Sequence, residues 1–326
     1  MSAALLSKVL EGIRLSGAMF LRGQYSAPWA FDSPEAEQLK ALLSPDAERL
    51  ILFHIVQKGQ AWASVGNTRV ELETGDVAIL PYASRHLMGS IHLAQRPIPI
   101  VELLPPPPWT DVPCCAFNGG GEETEVVCGY LACDELLFNP FLRTLPSIFR
   151  VRPTQGVVSR MFRACVDFTL DATKSSGNGQ APLISRMPEL LLIEALRQYA
   201  NSPEAKAGWL AAAKDDVLGR AIGHLHAAPE KNWTVAQLAS ASHSSVATLD
   251  ARFRSILRKP PMKYLTELRM QLAADALKRS QQKIAQIALA VGYSSEEGFS
   301  RAFKRAVGHS PSAWRKAKAG EAASSS

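Results

Sequence analysis

The stretch GYSSEEGFSRAFKRAVGHSP, residues 292–311, decides how the last third of the chain folds. Gly292 is suited to a turn, and Ser295 can cap a helix that begins just after it. Phe299 and Phe303 then recur at helical spacing and predict a buried stripe. The outer face of the same helix would carry Glu296, Glu297, Arg301, Lys304 and Arg305.

A second copy of this pattern lies about fifty residues earlier in the chain. AQLASASHSSVATLDARFRS (236–255) resembles AQIALAVGYSSEEGFSRAFKR (285–305), with one extra residue in the second turn. Thr234 and Gln237 form a capping box for a first short helix, and Ser245 can cap a second one. Each copy therefore predicts a helix-turn-helix unit.

One long amphipathic helix, MKYLTELRMQLAADALKRS (262–280), separates the two copies. Eighteen helical residues span about 27 Å. The major groove of B-DNA repeats every 34 Å or so, which allows two reading helices on one rigid spacer to enter successive grooves.

The C-terminal sequence resembles the AraC/XylS family of transcriptional regulators over about residues 215–317, through GYSSEEGFSRAFKRAVGHSPSAWR and the run from Leu238 to Ala274. The resemblance implies a DNA-binding domain with two helix-turn-helix units. The chain departs from the family pattern at Lys283, where a Ser or Thr cap is common. Asp250 and Ala251 also replace polar or basic reading residues, which weakens the case for base reading by the first unit.

We predict that the two second helices and their surroundings contact DNA. Arg254 and Arg301 are candidates for bases or phosphates, although each can instead form an ion pair within its own domain. Lys263, Lys304 and Arg305 are assigned to phosphates. The complete predicted set is Ser245, Ala247, Asp250, Arg254, Lys263, Ser295, Glu296, Glu297, Arg301, Lys304 and Arg305.

Charge and composition agree with a polyanion-binding module attached to another domain. From Asp215 onward there are 17 Lys and Arg against 9 Asp and Glu, a net charge of +8, whereas residues 1–214 carry −2. No apolar run long enough to span a membrane is present. The five cysteines form no CxxC pair and are interpreted as reduced thiols. A cytoplasmic, nucleoid-associated bacterial protein is expected.

The front half alternates short apolar runs with turn signals, as an antiparallel β unit does. The runs include RLILFHIV (49–56), AWASV (61–65), RVEL (69–72) and VAILP (77–81). GDVAILPYASRH (75–86) resembles the second cupin motif, with Ala83 in place of the usual Gly. The resemblance, which extends to SGAMFLRGQYSAPWAF (16–31), implies a cupin-like β-barrel sensor domain with flanking helices.

A small β-barrel can enclose a pocket, for which a small-molecule effector is expected. The pocket candidates are Trp29, His54, Trp62, His86, Cys128 and Tyr130. His54, His86 and Cys128 are also candidate ligands for a divalent metal such as zinc. The HxH…Glu motif is absent after His54, however, and pocket walls or core groups are the alternative.

The predicted organisation is multidomain, with four segments. These are a cupin-like sensor and dimerisation domain (1–200), a linker (201–214), an all-α DNA-binding domain (215–318) and a disordered tail (319–326). PLISRMPELLLIEALRQYA (182–200) is apolar on more than one face and is either a homodimer interface or buried within its own domain.

The sequence therefore predicts a transcription regulator, not an enzyme, that binds an operator in double-stranded DNA under small-molecule control. Its activity as an activator and a contact with RNA polymerase are further expectations. The alternative is a regulator without an effector, controlled by its abundance or by a protein partner. A cupin enzyme would need the missing ligand set.

Overall fold

We analysed a computed structural model, which describes residues 15–91, 96–105, 112–133, 142–152, 164, 167, 187–202 and 208–324. The chain divides into two compact units. The first lies within residues 15–202, and the second is made mainly of residues 208–324. In the part of the chain that the structure describes, no helix is both long and apolar enough to cross a membrane.

The first unit is built from strands β1 to β11, and the predicted apolar runs form β3 to β6. The strands are β1 (Ser16–Ser26), β2 (Ala30–Asp32), β3 (Arg49–Lys58), β4 (Gln60–Val65), β5 (Thr68–Glu73), β6 (Val77–Leu80), β7 (Leu87–Gly89), β8 (Ile98–Pro99), β9 (Cys114–Asn118), β10 (Glu123–Cys133) and β11 (Phe149–Val151).

These strands form two sheets. The six-stranded sheet has the order β11-β6-β3-β10-β1-β9, and the five-stranded sheet has the order β5-β4-β7-β2-β8. At the centre of the larger sheet, β3 lies between β6 and β10, which places His54 opposite both Ala78 and Cys128. The long central strands are largely buried, so that one apolar core forms between the sheets. The expected β-rich architecture is confirmed.

Among the described residues, two helices with defined bounds accompany the sheets. Helix α1 (Ala36–Leu43) follows β2, and Leu39 on it is buried. Helix α2 (Met187–Asn201) contacts β1, β10 and β11. Leu191 and Leu192 on α2 are 5% and 1% exposed, so they belong to the core of their own unit. Of the two interpretations of this segment, burial within the domain therefore holds for these two leucines.

Ala83 follows β6 at the position where the resembling motif has Gly, and it adopts a positive φ of 46°. That region of backbone space favours Gly. Ala83 is nevertheless 1% exposed, and its methyl group belongs to the apolar core. Ala83 thus keeps the turn of the motif, and its side chain packs in the core.

The second unit is all helical, as predicted. Its helices are α3 (Gly208–Lys214), α4 (Asp216–Ala227), α5 (Val235–Ala241), α6 (Val246–Leu257), α7 (Pro261–Arg279), α8 (Ile284–Ala290), α9 (Glu296–Val307) and α10 (Pro311–Ser324). Helices α5 and α6 form the first helix-turn-helix, and α8 and α9 form the second. Helix α7 is the spacer and, with its 19 residues, is about 28 Å long.

Local hydrogen bonds define the predicted helix starts. Thr234 Oγ1 accepts from the Gln237 N–H at 3.1 Å, and Gln237 Oε1 accepts from the Thr234 N–H at 3.1 Å, which is the predicted capping box. At the start of α8, Lys283 offers no side-chain acceptor, and Gln286 Oε1 accepts from its N–H at 3.1 Å. Helix α8 thus retains half of the usual capping arrangement.

The two turns confirm the alignment of the repeat. His243 has a φ of 52° in the first turn, and Gly292 has a φ of 84° in the second. A left-handed residue at the same place in both copies turns the chain between their helices. A Cβ atom at Gly292 would also lie 2.5 Å from the carbonyl oxygen of Glu230.

The boundaries of the second unit differ from the prediction in two places. Residues 208–214, predicted as linker, form α3, and Trp209 on it is 0% exposed. Its indole N–H donates to Tyr264 Oη at 2.7 Å, a pairing 55 residues apart that local composition does not reveal. Helix α10 continues to Ser324, where a disordered tail was predicted from residue 319.

Parts of the prediction lie outside the described residues: Cys165, and the first five residues of PLISRMPELLLIEALRQYA (182–200). Among the described residues, Cys114, Cys115, Cys128 and Cys133 are free cysteines.

Candidate functional sites

The first candidate site is the outer surface of α6 and α9, which are the second helices of the two helix-turn-helix units. Ser245 Oγ caps α6 by accepting from the Thr248 N–H at 3.1 Å, and Ser295 Oγ caps α9 by accepting from the Gly298 N–H at 3.1 Å. Both serines are therefore structural caps, and Ser245 Oγ also lies within hydrogen-bond distance of Thr248 Oγ1, at 2.8 Å. The predicted capping roles are correct.

The arginines on these helices form exposed ion pairs. Arg254 Nε lies 2.6 Å from Asp250 Oδ2, and Arg301 Nη1 lies 2.6 Å from Glu297 Oε1. The Arg301 and Glu297 side chains are 70% and 80% exposed. Exposed pairs of this kind contribute about 0–1 kcal/mol. Both arginines are therefore oriented in the free protein and can be released to DNA at little cost.

The remaining predicted DNA contacts are on the surface. Lys304 and Arg305 follow Arg301 around the exposed face of α9, and Glu296 lies at its first turn. A carboxylate in that first turn is favoured by the helix dipole, independently of DNA. Ala247 on α6 and Lys263 on α7 are also exposed. The structure thus makes the predicted set available to a ligand, and their roles in DNA binding stay predictions.

The buried side of each unit keeps its recognition helix in place. Leu249 and Phe253 of α6 are 0% exposed, as are Phe299 and Phe303 of α9. Phe303 and Trp314 of α10 have ring centroids 6.4 Å apart, which anchors the second unit against the last helix. The predicted apolar stripes are therefore the core side of both helices, opposite their charged faces.

Arg269 on α7 contacts residues around both helix-turn-helix units, and sequence reasoning did not identify it. Its Nε donates to the Pro229 carbonyl at 2.7 Å, and its Nη2 donates to the Lys231 carbonyl at 2.9 Å. Its guanidinium also lies 5.8 Å from the ring centre of Tyr293, in the turn of the second unit. Partial burial lowers the pKa of Arg269, which remains charged at neutral pH. This guanidinium holds the loop before α5 and the turn of the second helix-turn-helix unit against the spacer.

The second candidate site is a cavity inside the β-rich unit, with a volume of about 50 Å³. Trp29, His54, His86 and Cys128, four of the six predicted pocket residues, line it. The other lining residues are Phe20, Leu21, Tyr25, Phe31, Ser33, Pro34, Leu39, Leu42, Leu52, Met88, Ile100, Val101, Leu104 and Val126. The walls are therefore almost entirely apolar.

The other two predicted pocket residues do not line the cavity. Trp62 donates its indole N–H to the Ser90 carbonyl at 3.1 Å, and the Arg69 guanidinium lies 4.5 Å from its ring centre. Tyr130 is half-buried and packs against Phe20, with ring centroids 6.2 Å apart. The prediction of these two as cavity residues was wrong, because each occupies a neighbouring packing position.

Tyr25 and Phe31 are cavity residues that sequence reasoning missed. Their ring centroids lie 4.6 Å apart, and that of Tyr25 lies 4.8 Å from Trp29. All three belong to SGAMFLRGQYSAPWAF, but β1 and β2 lie in different sheets. The spacing of the aromatic residues along the chain therefore did not reveal that they meet.

His54, His86 and Cys128 form a closed hydrogen-bonded chain. His54 Nδ1 lies 2.9 Å from Cys128 Sγ, His54 Nε2 lies 2.8 Å from His86 Nε2, and His86 Nδ1 lies 3.0 Å from the Ser84 carbonyl. A carbonyl only accepts, so His86 donates from Nδ1 and accepts at Nε2 from His54. His54 Nδ1 then accepts from the Cys128 thiol.

Every member of this chain is satisfied in its neutral form. Burial lowers the pKa of His86 to about 4 and the pKa of His54 well below its ordinary value. Burial also raises the pKa of the Cys128 thiol. The cause is the same for all three, since removal from water disfavours the charged form.

The hydrogen-bonded arrangement of His54, His86 and Cys128 does not fit the predicted metal site. One ring nitrogen of His54 faces His86 and the other faces Cys128, so the ring stands between its two partners. Among the described residues there is no group of three or more His, Cys, Asp or Glu placed to hold a metal ion. The donor types suit zinc, but the geometry gives the metal prediction no support.

Comparison with known proteins agrees with both units. A family model described as Cupin matches residues 4–201, and one described as a helix-turn-helix domain matches residues 238–317. The HTH-type transcriptional regulator AlkR of Acinetobacter baylyi is 29% identical over 95% of this chain and 98% of its own length. A putative AraC-like transcription regulator of Streptomyces antibioticus is 43% identical over 39% of this chain and 42% of its own length.

A crystal structure of an AraC-type DNA-binding domain protein from Chromobacterium violaceum is also similar. It shares 28% sequence identity with a TM-score of 0.32, and the match covers 33% of this chain and 96% of that one. The Cupin match spans more than half of the chain and the helix-turn-helix match covers the region with the two exposed recognition helices. The chain therefore belongs to the AraC-like regulators with an N-terminal cupin domain, and it is a DNA-binding regulator of transcription.

Proposed function

We propose that a small molecule bound in the cavity of the cupin domain controls how this regulator binds its operator. The observation that carries the proposal is the cavity itself, lined by apolar and aromatic side chains with a few polar atoms. Ligand sites in proteins have this composition. A ligand alters DNA binding only if it binds two states of the protein with different affinity. The linker and the N-terminal segment are the two candidate routes for that coupling.

Two variants on α1 test whether the cavity is the sensing site. Leu42 lines the cavity and is half-buried, whereas the adjacent Ala41 is exposed and does not. Leu42→Trp should narrow the cavity, and Ala41→Trp adds the same side chain outside it. Genome-wide mapping of binding sites would supply both an operator and, from the neighbouring genes, a set of candidate compounds.

We expect at least one of those compounds to raise the melting temperature and change the operator affinity of the wild type and of Ala41→Trp. Leu42→Trp should lose both responses while still binding the operator. If no compound changes the operator affinity of the wild type, the alternative of control by abundance or by a protein partner replaces this proposal.

The cavity supports binding rather than catalysis. Relatives of this chain are named as transcriptional regulators. Among the described residues that line the cavity, the titratable ones are Tyr25, His54, His86 and Cys128. The last three hydrogen bond to one another or to the backbone and are held neutral, so they offer no free acid or base. We propose that the cupin domain has no enzymatic activity.

We also propose a cytoplasmic, nucleoid-associated homodimer that activates transcription through RNA polymerase. Leu190 on α2 supports the dimer, because it is 47% exposed while its neighbours Leu191 and Leu192 are buried. A large exposed leucine on a mostly buried helix is suited to an interface. Leu190→Glu should lower the mass measured in solution by light scattering from two chains to one. An unchanged mass would place the interface elsewhere.

A further inference from the structure

We propose that the effector is an uncharged molecule with an apolar body and a hydrogen-bond acceptor, to which the indole N–H of Trp29 donates. The biological role of such a molecule rests on the proposed function, but the chemistry of the cavity is a separate question. Three observations carry the inference: an unused donor, an apolar wall whose imidazole and thiol groups are already hydrogen-bonded, and a lining without charged side chains among the described residues.

The unused donor is the indole Nε1–H of Trp29. Trp29 lines the cavity and is 1% exposed, and its Nε1 has no hydrogen-bond partner among the described residues. By contrast, the indoles of Trp62, Trp209 and Trp233 donate to acceptors at 2.7–3.1 Å. Buried N–H groups in folded proteins are nearly always satisfied, and an exception requires an explanation. A ligand acceptor in the cavity is such an explanation.

Trp29 is held firmly enough to serve as a fixed donor. Its backbone N–H donates to Ser90 Oγ at 3.2 Å, and its carbonyl accepts from the Ser90 N–H at 2.9 Å. Its ring packs against Tyr25 and stacks on Phe31, with centroid distances of 4.8 and 5.3 Å. A donor fixed in advance loses little conformational entropy when a ligand binds.

The imidazole and thiol groups of the lining already have hydrogen-bond partners. The His54, His86 and Cys128 chain uses both nitrogens of each ring and the thiol proton. Opening this chain to reach a ligand would leave a buried imidazole nitrogen unsatisfied, which is unfavourable. An acceptor on the ligand therefore gains most by meeting Trp29.

The absence of charge excludes ionic effectors. The lining residues within the described part of the chain include no Lys, Arg, Asp or Glu. A carboxylate or an ammonium group in this cavity would lose its hydration without meeting an opposite charge, at a large cost. Neutral ketones, esters and alcohols avoid that cost, whereas fatty acids and amines do not.

The experiment observes the indole protons of the full-length protein labelled with ¹⁵N-tryptophan. The ligands are 2-butanone, cyclohexanone and 2-octanone as neutral acceptors of increasing size. Methylcyclohexane is the matched hydrocarbon and cyclohexanecarboxylate the matched anion. The Trp29 signal is assigned by its loss in Trp29→Phe, with Trp62→Phe as the control. If Trp29→Phe does not fold, nuclear Overhauser contacts to the rings of Tyr25 and Phe31 assign the signal in the wild type.

We expect at least one ketone to move the Trp29 indole proton downfield in a saturable way, as a new hydrogen bond does. The hydrocarbon should leave that proton almost unmoved, and the carboxylate should bind at least about tenfold more weakly than cyclohexanone. Trp29→Phe should weaken ketone binding by about tenfold more than it changes hydrocarbon binding. An unmoved Trp29 signal with every ketone, or a carboxylate that binds as tightly as cyclohexanone, would overturn the inference.

Operator affinity measured with the same compounds separates this inference from the proposed function. A ketone that engages Trp29 without changing operator affinity would support the cavity chemistry and count against effector control. A different compound that changes operator affinity while the Trp29 signal stays still would keep effector control and refute the inference.

Discussion

Arg301 is the side chain that we predict to matter most for sequence-specific reading by the second helix-turn-helix unit. It is exposed on α9 and is oriented by its pair with Glu297. If its guanidinium is bidentate to a base, Arg301→Ala should weaken binding to the operator by about 1–3 kcal/mol while changing non-specific binding far less. Fluorescence anisotropy with the mapped operator and with a scrambled duplex measures both.

Arg279→Ala is the matched control for Arg301→Ala. Arg279 also forms an i,i+4 ion pair, with its Nε 2.7 Å from Asp275 Oδ1, but it lies at the end of α7 and on neither recognition helix. Operator affinity should be nearly unchanged in this variant. Equal losses for the two variants would remove Arg301 from the set of base-reading residues.

Lys304 is expected to contact a phosphate and not a base. It is exposed on α9, three residues beyond Arg301. Lys304→Gln should weaken binding to all sequences alike and reduce the slope of log K against log salt by about one, because one fewer counterion is released. Titrations at several salt concentrations, with specific and scrambled DNA, give this slope. A loss confined to the operator would assign Lys304 to a base instead.

The neutral histidines of the cavity make the cupin domain sensitive to acid. The pKa of His86 is lowered to about 4 in the folded state, so the unfolded chain binds a proton first as the pH falls below about 6.5. Stability is therefore unaffected above that pH and decreases between about pH 6.5 and 4. For His86 alone the decrease amounts to about 2 kcal/mol at pH 5.

Hydrogen exchange of the β3 and β6 amides, corrected for intrinsic rates, measures this effect in the cupin domain alone. The loss of protection free energy between pH 7 and pH 5 should be smaller in His86→Asn than in the wild type by about 2 kcal/mol. His243→Asn changes an exposed histidine of the other unit and should leave the loss unchanged. Identical pH dependence in His86→Asn and wild type would contradict the neutral assignment.

Among the helices, α7 and its Arg269 determine how the two recognition helices are held. Arg269→Met keeps most of the side-chain volume and removes the hydrogen bonds to the Pro229 and Lys231 carbonyls. Because these bonds join the loop that leads into α5 to the spacer, we expect a stability loss of about 1–3 kcal/mol. We also expect an operator with both half-sites to bind about tenfold more weakly, while a single half-site binds as before.

Arg220→Met separates the linking role of Arg269 from a general loss of stability. Arg220 Nε on α4 donates to the Ser242 carbonyl at the end of α5, at 3.1 Å, and this bond does not involve the spacer α7. This variant should be less stable in a thermal melt and yet keep the ratio of two-site to one-site affinity. If both variants change that ratio equally, Arg269 is not the link between the units.

The helices show how far local sequence reaches. The capping box at Thr234 and the caps at Ser245 and Ser295 were predictable, because their hydrogen bonds join residues three positions apart. Helix α3 was not predictable in the same way. Its stretch GWLAAAK is short, and the partner of Trp209 is Tyr264, far along the chain. Elements defined by distant contacts are therefore the ones that sequence patterns miss.

The cavity shows the same limit in the first unit. The pattern of apolar runs and turns along the sequence indicates which segments form buried strands, and His54 and Cys128 on two of those strands are buried. It does not distinguish a cavity wall from an adjacent packing position. Tyr130 lies two residues beyond Cys128 on β10 and packs against the lining residue Phe20, yet Tyr130 itself does not line the cavity. Such differences depend on the packing of two sheets against each other.

The molecule as a whole combines a near-neutral cupin domain with a basic module of net charge +8 from Asp215 onward. Positive charge brings this module to DNA at any sequence. Discrimination between sequences then depends on the two recognition helices, which one compact unit presents together. The central claim is that both helices enter successive major grooves on one face of the duplex.

The most direct test measures the affinity of the full-length protein for operators whose half-sites are separated by different distances. We predict tight binding when the half-sites lie one helical turn apart, about 10–10.5 base pairs. Inserting five base pairs places them on opposite faces and should weaken binding at least about tenfold, to the affinity of a single half-site. Inserting five base pairs without any loss of affinity would contradict the account.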